Sequence, residues 1–235
     1  MKAVILTAGC GKRMLPLTKY IPKALLPIGL TPAIVKIINE AVDSGVNEIC
    51  CVVSDNHILK DFLSEYTSEY FKDLTLTFAL QQNPLGSGDA LLCAEEFCKK
   101  ERFLLANCDE IFENNSFSQL LQKGELTIGC KKVLAKECHK YGILTCQQNK
   151  ILKIEEKPTN LSQKSSPLAS VGRYLLDGRI FDAIKQTNFI GGERRLTDAL
   201  NILFCKAVVT PTLIDGKRFD IGSPDGYKNA FKYLG

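Results

Sequence analysis

Short apolar runs alternate, through the first half of the chain, with stretches whose apolar positions recur at helical spacing. Residues 3–7, 48–53, 74–80 and 102–106 are such runs and predict buried strands. Between them, residues 32–44, 58–66 and 88–99 predict helices. In the first of these Ile34, Ile37, Ile38 and Ala41 share one face, Pro32 suits a first turn and Gly45 suits the stop. Strand, helix, strand, helix in that order predicts a parallel sheet.

After Asp109 the pattern changes. Residues 126–133, 142–146, 151–155 and 170–176 are strand-like runs without intervening helical periodicity, which resumes only afterwards. This predicts a mixed extension of the first sheet. The expectation is an α/β chain, residues 1–235 as a single domain, with a mixed but mostly parallel sheet flanked by helices. Residues 157–167 are polar and bounded by Pro and Ser, which predicts a surface loop.

Composition narrows the classes. A chain of 235 residues with 45% hydrophobic content can bury one full core. Thirty basic against 26 acidic residues leave a net charge of +4, too little for a general nucleic-acid or membrane-surface field. Neither partner is expected. Several of the ten cysteines (Cys50, Cys51, Cys93, Cys130) lie in apolar runs and lack paired spacing, so they read as reduced and mostly buried. The two histidines, His57 and His139, are far apart and no CxxC occurs, which argues against a zinc site. Near the amino terminus Thr7-Ala8-Gly9-Cys10 loosely imitates a lipoprotein signal, but the apolar stretch before it is shorter than the roughly 7 to 15 residues such a signal needs. A soluble, cytoplasmic protein is expected.

The strongest candidate chemistry follows the first strand. Gly9 and Gly11 let backbone approach a ligand closely, and the loop then carries Lys12, Arg13, Lys19 and Lys23 to where a parallel sheet opens its crevice. Four cations suit a polyphosphate, although a turn with a solvated run of charge also accounts for them. The dinucleotide fingerprint fails, because its third glycine would fall at Met14, and GxxxxGK[ST] does not occur. Further along, Gln81 closes a strand before the turn-rich segment Gln82 to Gly88, and a glutamine amide can pair with a base edge. Asp109 stands just past the apolar run 103–106, where a carboxylate suits Mg²⁺, and Asp220 follows another short strand. A helix cap and a turn residue remain alternatives for these two.

Gly9-x-Gly11-x-Arg13 with Pro22-Lys23-x-Leu25-Leu26-Pro27 resembles the signature of the sugar-1-phosphate nucleotidyltransferases. The wording Arg13-Met14-Leu15-Pro16 and Ile21-Pro22-Lys23 is most similar to the bacterial UTP:glucose-1-phosphate uridylyltransferases of that family. The resemblance implies a Rossmann-like nucleotidyltransferase fold with Mg²⁺ as cofactor. It implies that Ala8 and Gly9 hold the uridine, that Gln81 and Gly86 read the base, and that Arg13 and Lys23 neutralise the triphosphate. Asp109 and Asp220 would hold the metal, while Gly142, Glu156, Lys157 and Gly172 would take the sugar phosphate. Glu193 and Asp198 match the family's Glu…Leu-Thr-Asp segment. Departures occur at Lys12, where the family usually has Thr, and at Arg194-Arg195.

UTP and glucose 1-phosphate are thus the implied substrates. Thymidylyl or other nucleotidyl transfer to a sugar 1-phosphate, and a silent sugar-nucleotide-binding homologue, are the alternative expectations. Longer relatives continue past the equivalent of Gly235 with helices that help form oligomers, so a homo-oligomer stays open.

Overall fold

The computed structural model describes residues 1–55, 57–159 and 166–235. Strands β1 (Lys2–Leu6), β2 (Pro27–Ile28) and β3 (Thr31–Pro32) precede helix α1 (Ala33–Asp43), then β4 (Glu48–Val53), α2 (His57–Tyr70) and β5 (Thr75–Leu80). Helices α3 (Ser87–Leu92) and α4 (Glu95–Cys98) lead to β6 (Phe103–Asn107), β7 (Glu110–Phe112), α5 (Ser116–Leu121) and β8 (Thr127–Lys132). The chain continues through β9 (Gly142–Gln147), β10 (Lys150–Glu156), β11 (Leu168–Leu176), α6 (Arg179–Lys185), α7 (Leu196–Phe204), β12 (Thr210–Leu213), β13 (Arg218–Asp220) and α8 (Pro224–Leu234).

Among the described residues, nine strands form one sheet with the path β10-β9-β11-β6-β1-β4-β5, to which β8 and β12 attach through β11. The pairs β1–β4, β1–β6 and β4–β5 are parallel, whereas β11 runs antiparallel to β6, β8 and β9. The expected α/β architecture and the mixed extension after Asp109 are both present. Strand alternation divides the core between two faces. Ala3 and Ile5 face one way, onto the residues of α1, α2 and α5, while Val4 and Leu6 face the other, onto α3, α6 and α7.

Topology places the ligand crevice. The chain leaves β1 for β4 and β5 on one side and returns to β6 on the other, so the strand order reverses at β1. The loops after β1 and β6 diverge there and open a cleft at the carboxyl ends of the strands.

The predicted helix 88–99 is broken. Ala94 N–H donates to Leu91 and Cys93 N–H to both Asp89 and Ala90, a tightening from four-residue to three-residue bonds that ends α3 before α4 begins. Cys93 in that break is exposed, as are Cys10 and Cys205, contrary to the reading of Cys93 as buried. Cys50, Cys51 and Cys130 are buried as expected, and all ten cysteines are free thiols. Of the predicted surface loop 157–167, residues 160–165 lie outside the described residues.

Candidate active site

The loop after β1 is shaped by Gly11, whose φ of +62° suits glycine. Thr18 folds back over it and donates its hydroxyl to the Gly11 carbonyl at 2.8 Å. A buried Met14 pins the same loop to the body. Arg13 is left exposed, and Lys23, from the next turn, is directed inward so that its ammonium would sit 3.8 Å from a Cβ on Gly9.

Two distant segments, at Arg13 and Asp109, converge with Asp220 on Gly222. A Cβ there would lie 2.8 Å from Arg13 Nη2, 2.8 Å from Asp109 Oδ2 and 2.9 Å from Asp220 Oδ1. Asp109 sits in the turn between β6 and β7, and its carbonyl accepts from Ile221 N–H at 2.9 Å. Asp220 ends β13 and accepts from Gly222 N–H at 2.9 Å, with Arg13 at 3.8 Å. Lys23 donates to Asp109 at 2.7 Å. Burial pushes the Asp109 carboxyl up, but the Lys23 ammonium, its hydrogen bond and Arg13 outweigh this and hold it below the usual carboxylate range.

The cleft around these groups has a volume of about 700 Å³. Ala8, Gly9, Arg13, Lys23, Gln81, Gly86, Asp109, Glu156 and Lys157 of the expected site all line it. Glu156 closes β10 opposite Gly142 on β9, and Lys157 follows with a φ of +46°, a left-handed conformation that a lysine seldom takes. Its N–H is held by the Tyr141 carbonyl at 3.0 Å, and its ammonium stays exposed beside Glu156 at 3.4 Å.

Two glycines are placed differently from the expectation. Gly172 is buried, with a φ of +62°, and a Cβ there would meet Asn107 Nδ2 at 2.8 Å and Glu110 Cγ at 2.9 Å. It lies behind the cleft floor and permits close packing of the residues that bracket Asp109. A Cβ on Gly142 would meet Ile154 at 2.9 Å and Thr197 at 3.6 Å, and Gly142 does not line the cleft, so it supports the wall.

Gln81 is buried, and its Nε2 donates to the Gly86 carbonyl at 3.1 Å and to Asp89 Oδ2 at 2.9 Å. Its amide hydrogens are therefore used inside the turn, which leaves the carboxamide oxygen as the group available to a base. Gly86 is required by a neighbouring segment of the chain as much as by any ligand: at φ +102° a Cβ would lie 2.6 Å from the Arg194 carbonyl. Gly88 N–H donates to that carbonyl at 2.9 Å, and Arg194 N–H donates to Leu85 at 2.7 Å.

Residues not singled out from sequence also line the cleft, among them Asn107, Cys108 and Thr197. Asn107 ends β6 two residues before Asp109, and that position was the available signal. The departures Lys12 and Arg195 line the cleft as well, and Glu193 joins them, while Asp198 does not.

A family model described as "Nucleotidyl transferase" matches residues 2–235. A UTP–glucose-1-phosphate uridylyltransferase of Mycoplasma pneumoniae is 37% identical over 268 residues, spanning 99% of this chain and 91% of its own. One from Bacillus subtilis is 32% identical over 264 residues, spanning 100% and 89%. A crystal structure of UDP-glucose pyrophosphorylase complexed with UDP-glucose matches with a TM-score of 0.89 at 26% identity, covering 99% of this chain and 97% of that one. A UTP-bound UGPase from Acinetobacter baumannii matches with a TM-score of 0.84 at 27% identity, covering 100% and 93%.

Proposed function

The chain belongs to the nucleotidyl transferase family, and from that membership together with the cleft we propose that it transfers the uridylyl group of UTP to glucose 1-phosphate, releasing pyrophosphate and forming UDP-glucose. The observation that carries the reading is that Arg13, Asp109 and Gly222 line the same cleft as Glu156 and Lys157, with Asp220, which does not itself line the cleft, converging on Gly222. One wall is cationic and suits a triphosphate; the other offers a carboxylate and an ammonium to a sugar phosphate.

Ala8 and Gly9 seat the uridine through their backbone, and the Gln81 oxygen accepts from an N–H of the base. Uracil and thymine carry an N–H between their carbonyls and cytosine does not, which favours UTP over CTP. Arg13 and Lys23 neutralise charge that builds on the departing pyrophosphate. Lys157 holds the phosphate of glucose 1-phosphate, whose oxygen attacks the α-phosphorus in line, and Glu156 accepts from sugar hydroxyls. Gly142 and Gly172 act by letting the wall and floor pack closely. No covalent intermediate is required.

Asp109 and Asp220 are hard oxygen donors that reach one point, the donor set that suits Mg²⁺, which takes one or two carboxylates and completes its shell with water and phosphate oxygens. When bound there, the cation supplies charge compensation to the phosphates. The Asp109 oxygen that faces this point, Oδ2, is the one that accepts from Lys23, so a cation bound there would share that oxygen with the ammonium or displace the contact.

Residues 1–235 act as one catalytic domain in this reading, and the ten free thiols suit a reducing cytoplasm. The deciding experiment is pyrophosphate release from each nucleoside triphosphate with glucose 1-phosphate, with and without Mg²⁺. Preference for UTP supports the assignment. Preference for dTTP would make the chain a thymidylyltransferase, and no release with any nucleotide would leave a silent sugar-nucleotide-binding homologue.

A further inference from the structure

Strands β7 and β13 form a two-stranded ribbon of their own, apart from the main sheet, and this ribbon carries both converging carboxylates at one end. Asp109 immediately precedes β7, and Asp220 closes β13 directly opposite Glu110. Two carboxylates facing each other across a ladder repel. So short a ribbon has few ladder bonds with which to resist.

Arg218 resolves this. It stands diagonally across from Glu110 on the face shared with Asp220, and it donates to the Glu110 carboxylate from both Nε and Nη2, the latter at 2.5 Å. Each side chain of the pair is only 11% exposed. A two-pronged guanidinium–carboxylate contact fixes orientation as well as charge. The other side of the guanidinium stacks on Tyr141, at 4.9 Å from the ring centroid. Tyr141 precedes Gly142 on β9, and its carbonyl holds the Lys157 N–H.

We propose that the Glu110–Arg218 pair, with Tyr141 stacked upon it, is a positioning device that sets Asp109 and Asp220 for the divalent cation and fixes their distance from the sugar-phosphate side of the cleft. The proposal rests on the metal and sugar-phosphate roles given above. Neither residue lines the cleft; they act through the aspartates on one side and through Lys157 on the other.

Removing one partner would strand a buried charge, so the informative variant is the double substitution Glu110→Gln with Arg218→Met, which removes both charges at near-constant volume. Binding of Mn²⁺ to the enzyme with α,β-methylene-UTP, read from the free-Mn²⁺ signal in electron paramagnetic resonance, measures the aspartates without turnover. The double variant should weaken it by about 10- to 100-fold, the usual effect of removing groups that orient metal ligands, while melting cooperatively. Arg218→Lys, which keeps a charge but not the fork, should recover part of that loss. Tyr141→Leu should raise the KM for glucose 1-phosphate and leave Mn²⁺ binding unchanged. Asp109→Asn and Asp220→Asn serve as reference: if neither weakens Mn²⁺ binding, the metal reading fails and this inference with it. If both do, but the double variant binds Mn²⁺ within twofold of the parent, the pair only holds the fold and the inference is wrong by itself.

Discussion

Lys23 and Asp109, 86 residues apart in sequence, meet at 2.7 Å in the cleft, with only 12% and 19% of their side chains exposed. The contact ties the loop after β1 to the turn after β6, so each side chain fixes the other before substrate arrives.

Asp109→Asn keeps the shape of the side chain but removes its charge. It should lower kcat by about 10²- to 10³-fold, the usual scale for a lost electrostatic group. A drop in melting temperature should accompany it, because the Lys23 ammonium loses a partner in a partly buried site. Steady-state rates and a thermal melt check both, and full activity at ordinary Mg²⁺ would remove Asp109 from the site.

The two lysines should fail differently. Lys23→Ala should lower kcat by about 10²- to 10³-fold and weaken UTP binding. Lys157→Ala should mainly raise the KM for glucose 1-phosphate, with some loss of kcat from misalignment. Calorimetric titration with UTP alone separates them. If Lys157→Ala abolished UTP binding and spared glucose 1-phosphate affinity, the two sides of the cleft would have to be exchanged.

Gln81→Ala should raise the KM for UTP by about 10-fold, the scale of one directional hydrogen bond, and shrink the advantage of UTP over CTP. Competition between the two nucleotides gives the ratio directly. An unchanged ratio would mean that Gln81 only braces the turn through Gly86 and Asp89.

Gly222→Ala is the sharpest steric test. The added methyl would press on Arg13, Asp109 and Asp220 together, and all three distances fall below 3 Å. Gly222 has no left-handed φ, so the backbone tolerates alanine. Activity should collapse while the melting temperature changes little, as compared by circular dichroism and pyrophosphate release.

Much of this arrangement was legible in the chain. Residues 48–53 read as a strand because apolar and β-branched residues fill the run, and β4 spans Glu48–Val53. The cationic loop was legible because glycines and charges were adjacent in sequence. Strand β12 was not read, since Pro211 interrupts it and is tolerated by pairing on one side only, with β8. Helix α5 carries a real signal, Asn115 capping Ser118 N–H at 2.9 Å, but it is too short to show periodicity. Arg173 was invisible as a structural element: it lies wholly buried in β11, between the rings of Phe112 and Phe117, and donates to the carbonyls of Asn107 and Glu110 on either side of Asp109. Its partners are brought together only by folding, as are those of Glu110 and Arg218.

The backbone bonds that join the Leu85–Gly88 turn to Arg194, together with the Leu196 N–H that donates to Ser87 Oγ, mean that the turn proposed to read the base and helix α7 share one seat. Helix α7 carries Thr197, which packs against Gly142 on the opposite wall. On the proposed roles, nucleotide preference and sugar preference are consequently not independent modules in this scaffold. Grafting the turn of a relative with another base preference would displace the wall that receives the sugar unless residues 194–197 were exchanged with it.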